Sequence, residues 1–346
     1  LGGVGGSHLL TLSRLGIGAF TISDFDSFEL ANFNRQAGAS MNTLGRPKLE
    51  VLETMALDIN PEARIDKFPG GINESNVHEF LAGADVYLDG LDFFAVDARR
   101  RVFAACHELG IPAVTAAPLG MGVAMLNFMP GKMSFEEYFR LDGRPEQEQL
   151  LRFLLGLSPA MLQRGYLVDP AAVDFSAHRG PSTPMACELC AGVAATQVLK
   201  ILLRRKGITA APRGLQFDPF REKLVRTWRP GGNRNPLQRL GLMIAGRQIA
   251  RMGEVAGITE QAEKMMPVKS ILDQARWAPS GDNTQPWRFE IIADDHIVVH
   301  GNDTRDFCVY DLQGHASQLS HGALLENIRI AASTEGMKAD VERRSN

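Results

Sequence analysis

Apolar residues recur at helical spacing from Ser7 to Leu15, at Leu9, Leu10, Leu12 and Leu15. Gly16-Ile17-Gly18 stops that run, and Phe20 to Ser23 reads as a strand. Lys48 to Ile59 is a second helix, closed by Asn60-Pro61, because the residue before a proline avoids helical backbone. A strand is expected over Ala63 to Phe68 and a short helix over Val77 to Leu81. Val86-Tyr87-Leu88 reads as a buried strand whose end gathers acids, in Asp89-Gly90-Leu91-Asp92. Asp97 to Leu109 is then a helix and Ile111 to Thr115 a strand, with two further strand segments over Ala117 to Met129 divided by glycines. This alternation predicts an α/β fold with a doubly wound sheet.

The pattern changes over residues 131–185, where Met133 to Phe139 and Pro145 to Leu157 read as short helices joined by loops. After a breaker at Gly180-Pro181-Ser182-Thr183-Pro184, Cys187 to Leu203 reads as a strong apolar helix ending in basic residues. Leu215 to Asp218 and Leu224 to Trp228 read as closing strands, and Pro230-Gly231-Gly232-Asn233 as a boundary. The expected organisation is a first domain over 1–230, a helical linker over 231–267 and a second, partial α+β domain over 268–346.

A chain of 346 residues has room for this arrangement. A net charge of −3 creates no field that would draw in DNA or an anionic membrane. No apolar run reads as long enough to span a membrane and no signal peptide is visible, so a cytoplasmic protein is expected. Four cysteines do not make a disulfide framework, which agrees with a reducing compartment.

The candidate chemistry is concentrated near the start, in Gly2-Gly3-Val4-Gly5-Gly6-Ser7. Glycines there let backbone N–H groups approach phosphate, with Gly3 and Gly5 beneath it and the positive end of the following helix pointing the same way. Asp24 follows about twenty residues later at a strand tip, the position of a ribose acceptor. Asp26 is its rival, or a helix cap. Asn32 and Arg35 share one face of a helical turn, and Lys48 adds a second cation, which suits a triphosphate. Such a turn is ordinarily fed by a buried strand, which is expected to precede Leu1, and the far end at Asn346 shows no closing element.

Taken together, the glycine turn, Asp24-Phe25-Asp26, Asn32-Phe33-Asn34-Arg35-Gln36, Gly45-Arg46-Pro47-Lys48 and Ile59-Asn60-Pro61 resemble the E1-like adenylating enzymes, the ThiF, MoeB and HesA proteins and the ubiquitin-activating enzymes. The resemblance runs from residue 1 to about 230. It implies a Rossmann-like doubly wound sheet that binds ATP and Mg²⁺. It also implies that Arg35 and Lys48 contact phosphate, that Asn32 holds nucleotide or orients Arg35, and that Gln36 completes the motif. Asp92 matches the family's aspartate in Asp-x-x-Asp-Asn, which holds magnesium and the reacting phosphate, with Asp89 as the alternative ligand. Phe93 stands where the asparagine is common. The acceptor implied is a carboxylate, commonly the C-terminal glycine of a small ubiquitin-like or sulfur-carrier protein; another branch adenylates a carboxylate on modified tRNA. A homodimer is also implied.

Relatives often carry two Cys-x-x-Cys pairs that bind structural zinc. Here Cys187-Glu188-Leu189-Cys190 is one pair, so no complete zinc site is expected. Each thiol reads as lying at a helix N-terminus, which lowers thiol pKa, so either is a candidate thioester nucleophile, with plain packing or a vestigial zinc pair as the other readings. Cys106 and Cys308 read as packed residues, and His8, His107 and His178 as helix-face residues.

The composition resets after Met266-Pro267. Val268 to Trp277 reads as a helix, and the loop Ala278-Pro279-Ser280-Gly281-Asp282-Asn283-Thr284-Gln285-Pro286-Trp287 leads into a strand over Arg288 to Ile292. This resembles the nitroreductase family of flavin enzymes, with Ser280, Asn283 and Gln285 in the loop that touches FMN. Fusions of this kind are associated with molybdopterin biosynthesis. Two other functional readings stay open beside adenylation: a flavin or nicotinamide oxidoreductase, and a nucleotide-binding scaffold without turnover.

Overall fold

The computed structural model describes residues 1–166, 182–247, 267–279, 287–293, 295–301 and 315–343. The chain divides into two compact units, Leu1–Gln248 and Ile249–Asn346.

The first unit opens with α1 (Gly5–Arg14), β1 (Ala19–Ser23), α2 (Lys48–Ile59) and β2 (Arg64–Phe68). It continues with α3 (Val77–Phe80), β3 (Tyr87–Asp89), α4 (Val96–Leu109), β4 (Ala113–Leu119) and β5 (Gly122–Phe128). Next come α5 (Phe135–Phe139), α6 (Glu146–Leu157), α7 (Pro184–Leu202), β6 (Arg213–Asp218) and β7 (Lys223–Trp228). A last helix, α8, covers 236–247. Local chemistry sets several ends. Ser134 and Glu137 close a reciprocal cap on α5, Gly110 in left-handed backbone stops α4, and the Thr183 hydroxyl caps α7 ahead of Pro184.

β1 and β2 pair in parallel, with Ala19 opposite Arg64. A separate five-stranded sheet has the order β3-β4-β5-β6-β7. Only β3 and β4 run parallel in it; the remaining pairs are antiparallel. The fold is the expected α/β, but the sheet is mixed. The segment 117–119, read as a separate strand, continues β4 and turns at Gly120-Met121 into β5. A cavity of about 300 Å³ lies between β1 and β3, lined by Ile22, Val86, Leu88, His8 and Leu12 among others.

Helices cover both faces of the sheet. On one side α4, α5 and α6 build a core from Phe103, Phe128, Phe135, Tyr138, Phe139 and Phe153. On the other, α1 and α7 bring Val4, Leu12, Cys187, Ala194 and Val198 against Val114 and Met125. A third cluster packs α2 on α1 and β1 through Leu52, Leu9 and Ile22.

The 19-residue α7 corrects the sequence reading in two ways. It starts three residues earlier than expected, and by length and a mean hydropathy of 1.5 it matches a membrane span. Its apolar character has another physical cause, since one face packs on β4, β5 and α1 as a core helix.

In the second unit, α9 (Pro267–Ala275) and α10 (His315–Thr334) pack on the antiparallel hairpin of β8 (Trp287–Ala293) and β9 (His296–Gly301). Ile271, Ala275, Trp287, Leu324 and Ile328 form its core.

Candidate active site

The first backbone hydrogen bonds of the glycine turn run from Gly6 N to Leu1 O, at 2.7 Å, and from His8 N to Val4 O, at 2.8 Å. The amides of Gly3, Val4 and Gly5 donate to no acceptor among the described residues. They sit at the positive end of α1, which is the arrangement that attracts an anion.

The two predicted glycines have different neighbours. A Cβ on Gly3 would lie 3.4 Å from Arg35 Nε and 3.5 Å from Cys187 Sγ, ordinary contact distances that place the Arg35 side chain beside the turn. A Cβ on Gly5 would lie 3.5 Å from Gly90 Cα, and one on Gly90 would lie 3.0 Å from Gly5 Cα. The missing side chain at Gly90 therefore lets the two backbones touch, bringing the acid-bearing end of β3 against the turn, whereas Gly5 has ordinary contact distances. Gly90 is a site residue that sequence reasoning passed over; its place between two acids was the available signal.

Asp24 lies just beyond β1. One carboxylate oxygen accepts the Asp26 amide at 2.9 Å. Asp26 in turn pairs with Lys48 Nζ at 3.0 Å. Lys48 is the first residue of α2 and is buried, with its amide bonded to Asp26 O. Arg35 is half-buried, and its Nη1 donates to Asn34 Oδ1 at 2.9 Å. Asn32, expected to orient Arg35 or hold nucleotide, accepts the Glu29 amide instead and caps its own turn. The orienting residue is Asn34. Gln36 Oε1 is buried with no donor among the described residues, so a ligand hydroxyl or amine would satisfy it.

The two acids at the tip of β3 sit in opposite environments. Asp89 is 4% exposed. It receives Arg99 Nε and the Thr115 hydroxyl, each at 2.8 Å, and the Leu91 amide at 3.2 Å. Its oxygens are committed to the protein, which sets it apart from its candidate role as a magnesium ligand. Asp92 is exposed, and one oxygen accepts the Phe94 amide at 2.9 Å. A hard carboxylate oxygen at the tip of a strand, beside an anion-binding turn, fits Mg²⁺ carried by a nucleotide. Phe93 packs on Phe153, with ring centroids 5.4 Å apart, so an apolar anchor holds the loop.

At the turn, Arg35 lies by Gly3 and Gly90 abuts Gly5, while Lys48 pairs with Asp26.

The ThiF family model matches residues 1–240. The chain belongs to the ThiF family. A nitroreductase family model matches residues 264–319, so a nitroreductase-family segment follows the ThiF domain. The sulfur carrier protein ThiS adenylyltransferase of Escherichia coli is 30% identical over 130 residues, covering 38% of this chain and 51% of that protein. The molybdopterin-synthase adenylyltransferase of Escherichia coli is 30% identical over 145 residues, covering 41% of this chain and 57% of that protein. The chain spans about half the length of the curated relatives it matches. Among solved structures, E. coli MccB with MccA-N7isoASN superposes with a TM-score of 0.51 at 19% identity, over 65% of this chain and 61% of that one. At that identity the likeness bears on the fold alone.

Within the ThiF unit the cysteines depart from the nucleophile reading. Because α7 begins at Pro184, Cys187 is its fourth residue and Cys190 its seventh, and both are buried. Burial pushes both thiols up, and at Cys187 the Ser182 hydroxyl and Arg35 counter this only in part. A raised pKa is the opposite of what a thiolate nucleophile requires. Cys106 is packed inside α4, where burial pushes it up to about 12. Among the described residues no group of three His, Cys, Asp or Glu side chains is placed to hold a metal. His8 is buried with neither ring nitrogen hydrogen-bonded among the described residues. Burial lowers its pKa from 6.5 to about 4, although Asp89 pulls the other way. The flavin-loop candidates Ser280, Asn283 and Gln285 lie outside the described residues, as do Cys308 and His178.

Proposed function

We propose that this protein is an ATP-dependent adenylyltransferase acting on a carboxylate. The glycine turn and the free amides of Gly3, Val4 and Gly5 receive the phosphates, while Asp24 and Gln36 receive the nucleoside. An oxygen of the acceptor carboxylate attacks the α-phosphorus, the bond to the bridging oxygen breaks, and pyrophosphate leaves. No protein nucleophile takes part. Arg35, over the turn, and Lys48, held by Asp26, neutralise charge that grows on the departing oxygens. Asp92 would hold Mg²⁺, which when bound offsets phosphate charge.

The acceptor favoured by this reading is the C-terminal glycine of a small sulfur-carrier or ubiquitin-like protein. The named relatives act in ThiS and molybdopterin-synthase adenylylation. The same reading carries a homodimer in the cytoplasm. The observation behind it is the convergence of Arg35 on Gly3 and of the Asp92 loop on Gly5. The nitroreductase-family segment supports a second reading, an FMN-dependent oxidoreductase activity of a longer protein.

The adenylation reading is tested by ATP–pyrophosphate exchange with Mg²⁺ and a sulfur-carrier protein ending in Gly-Gly. Exchange that requires the acceptor and is lost in Arg35→Ala and Asp92→Ala supports it. Exchange indifferent to both substitutions rejects the site.

A further inference from the structure

We infer that Arg99 is the positioning residue for Asp92, acting through the loop that carries it; this rests on the adenylation reading. Arg99 lies on α4 and is 3% exposed, deep enough that its charge needs a specific purpose. Its donors converge on one short stretch of chain. Nε donates to Asp89 at 2.8 Å. Nη2 donates to the carbonyls of Leu91 at 2.7 Å and Asp92 at 3.0 Å, and Nη1 to that of Phe93 at 3.3 Å. The guanidinium carbon stands 4.6 Å from the centre of the Phe153 ring, the ring on which Phe93 also packs.

Three consecutive carbonyls are thus drawn inward to one planar cation, and the Asp92 carboxylate is presented on the outside of the loop. Asp89, saturated by Arg99, Thr115 and the Leu91 amide, fixes the inner end. The contact between Gly5 and Gly90 then ties this loop to the phosphate turn. An asparagine after the catalytic acid is unnecessary in such a loop, because Arg99 supplies the hydrogen bonds and Phe93 the anchor. A lysine cannot replace the fork, since an ammonium is a point charge and does not span a carboxylate and three carbonyls in fixed directions.

The test compares R99K, the charge-neutral pair D89N/R99Q and the surface control R100Q, whose parent residue Arg100 pairs with Glu136 and Asp142. The double variant leaves no charge buried alone, so it reports on the loop if R99K fails to fold. Three quantities are measured: binding of a fluorescent ATP analogue in EDTA and in Mg²⁺, pyrophosphate exchange, and hydrogen–deuterium exchange of the 90–95 amides. In R99K and D89N/R99Q, nucleotide binding in EDTA stays at the wild-type level. The tightening caused by Mg²⁺ and the turnover fall by about tenfold or more. The 90–95 amides exchange faster, and R100Q behaves as wild type. Wild-type Mg²⁺ response and amide protection in the folded variants would overturn the inference. Equal loss of binding in EDTA and in Mg²⁺ would also overturn it, since that marks a generally damaged site. If the wild-type protein itself shows neither Mg²⁺ response nor exchange, the adenylation reading fails and so does the role of Arg99 in it, while the amide data still decide whether the loop is clamped.

Discussion

Both halves of the ThiF unit have apolar cores, but they differ in what is added to them. The half built on β4 to β7 with α4, α5 and α6 is an aromatic core. Phe135 and Phe139 lie 4.6 Å apart between ring centroids, Phe139 and Phe153 lie 5.0 Å apart, and Phe139 is fully buried. The half around the glycine turn rests on aliphatic clusters through Leu9, Leu52 and Val4, and adds ion pairs and touching glycines at its rim: Lys48 to Asp26, Asp89 to Arg99 reaching across from α4, Gly5 to Gly90. The contrast teaches where each property resides. Apolar burial is non-directional and supplies stability, whereas polar contacts aim specific atoms, and aiming is what a phosphate site needs.

The sharpest test of this contrast removes Phe139. Phe139→Ala should cost about 3–5 kcal/mol of unfolding free energy in denaturant titration while leaving nucleotide affinity unchanged in the folded fraction. A drop in affinity equal to the drop in stability would mean that the two halves are not energetically distinct.

His8 lies on the polar side and provides a pH probe. Its folded-state pKa is depressed from 6.5 to about 4, so its contribution to stability is intact above 6.5. Between those values the unfolded chain binds the extra proton, and stability falls as pH drops through that window, by about 3 kcal/mol at most. His8→Gln should flatten the stability curve from pH 7 to 4, measured by denaturant titration at each pH. An unchanged slope would remove His8 as the cause.

Asp92→Asn inverts the first experiment. The side chain is exposed, so the midpoint of thermal unfolding should stay put while exchange falls by about 100-fold. The smallest effect expected is at the exposed pair of Lys67 and Glu53, 2.6 Å apart, where Glu53→Ala should cost under about 1 kcal/mol and leave exchange untouched. A larger loss there would show that surface charge contributes more to the polar half than its exposure suggests.

Much of this was readable before the coordinates. The periodicity of Lys48 to Ile59 matched α2 residue for residue, and Arg35 lies by Gly3 of the glycine turn. Those features are local: a helix follows from spacing, and a phosphate turn from adjacent glycines. Other features depend on what the fold brings from elsewhere in the chain. Asn34 rather than Asn32 steadies Arg35, and Arg99, ten residues from Asp89, closes on it because α4 packs back against β3. Cys187 and Cys190 carry a motif that reads as reactive, yet burial under the sheet raises both thiols.

The order of strands and helices, and the residue types available for phosphate and metal, were therefore settled by the sequence itself, through side-chain period and backbone freedom. Tertiary structure alone decided that Asp89 is sealed inside while Asp92 faces out. Two carboxylates three positions apart look alike as letters, and only the packed surroundings determine which one stays available to a ligand.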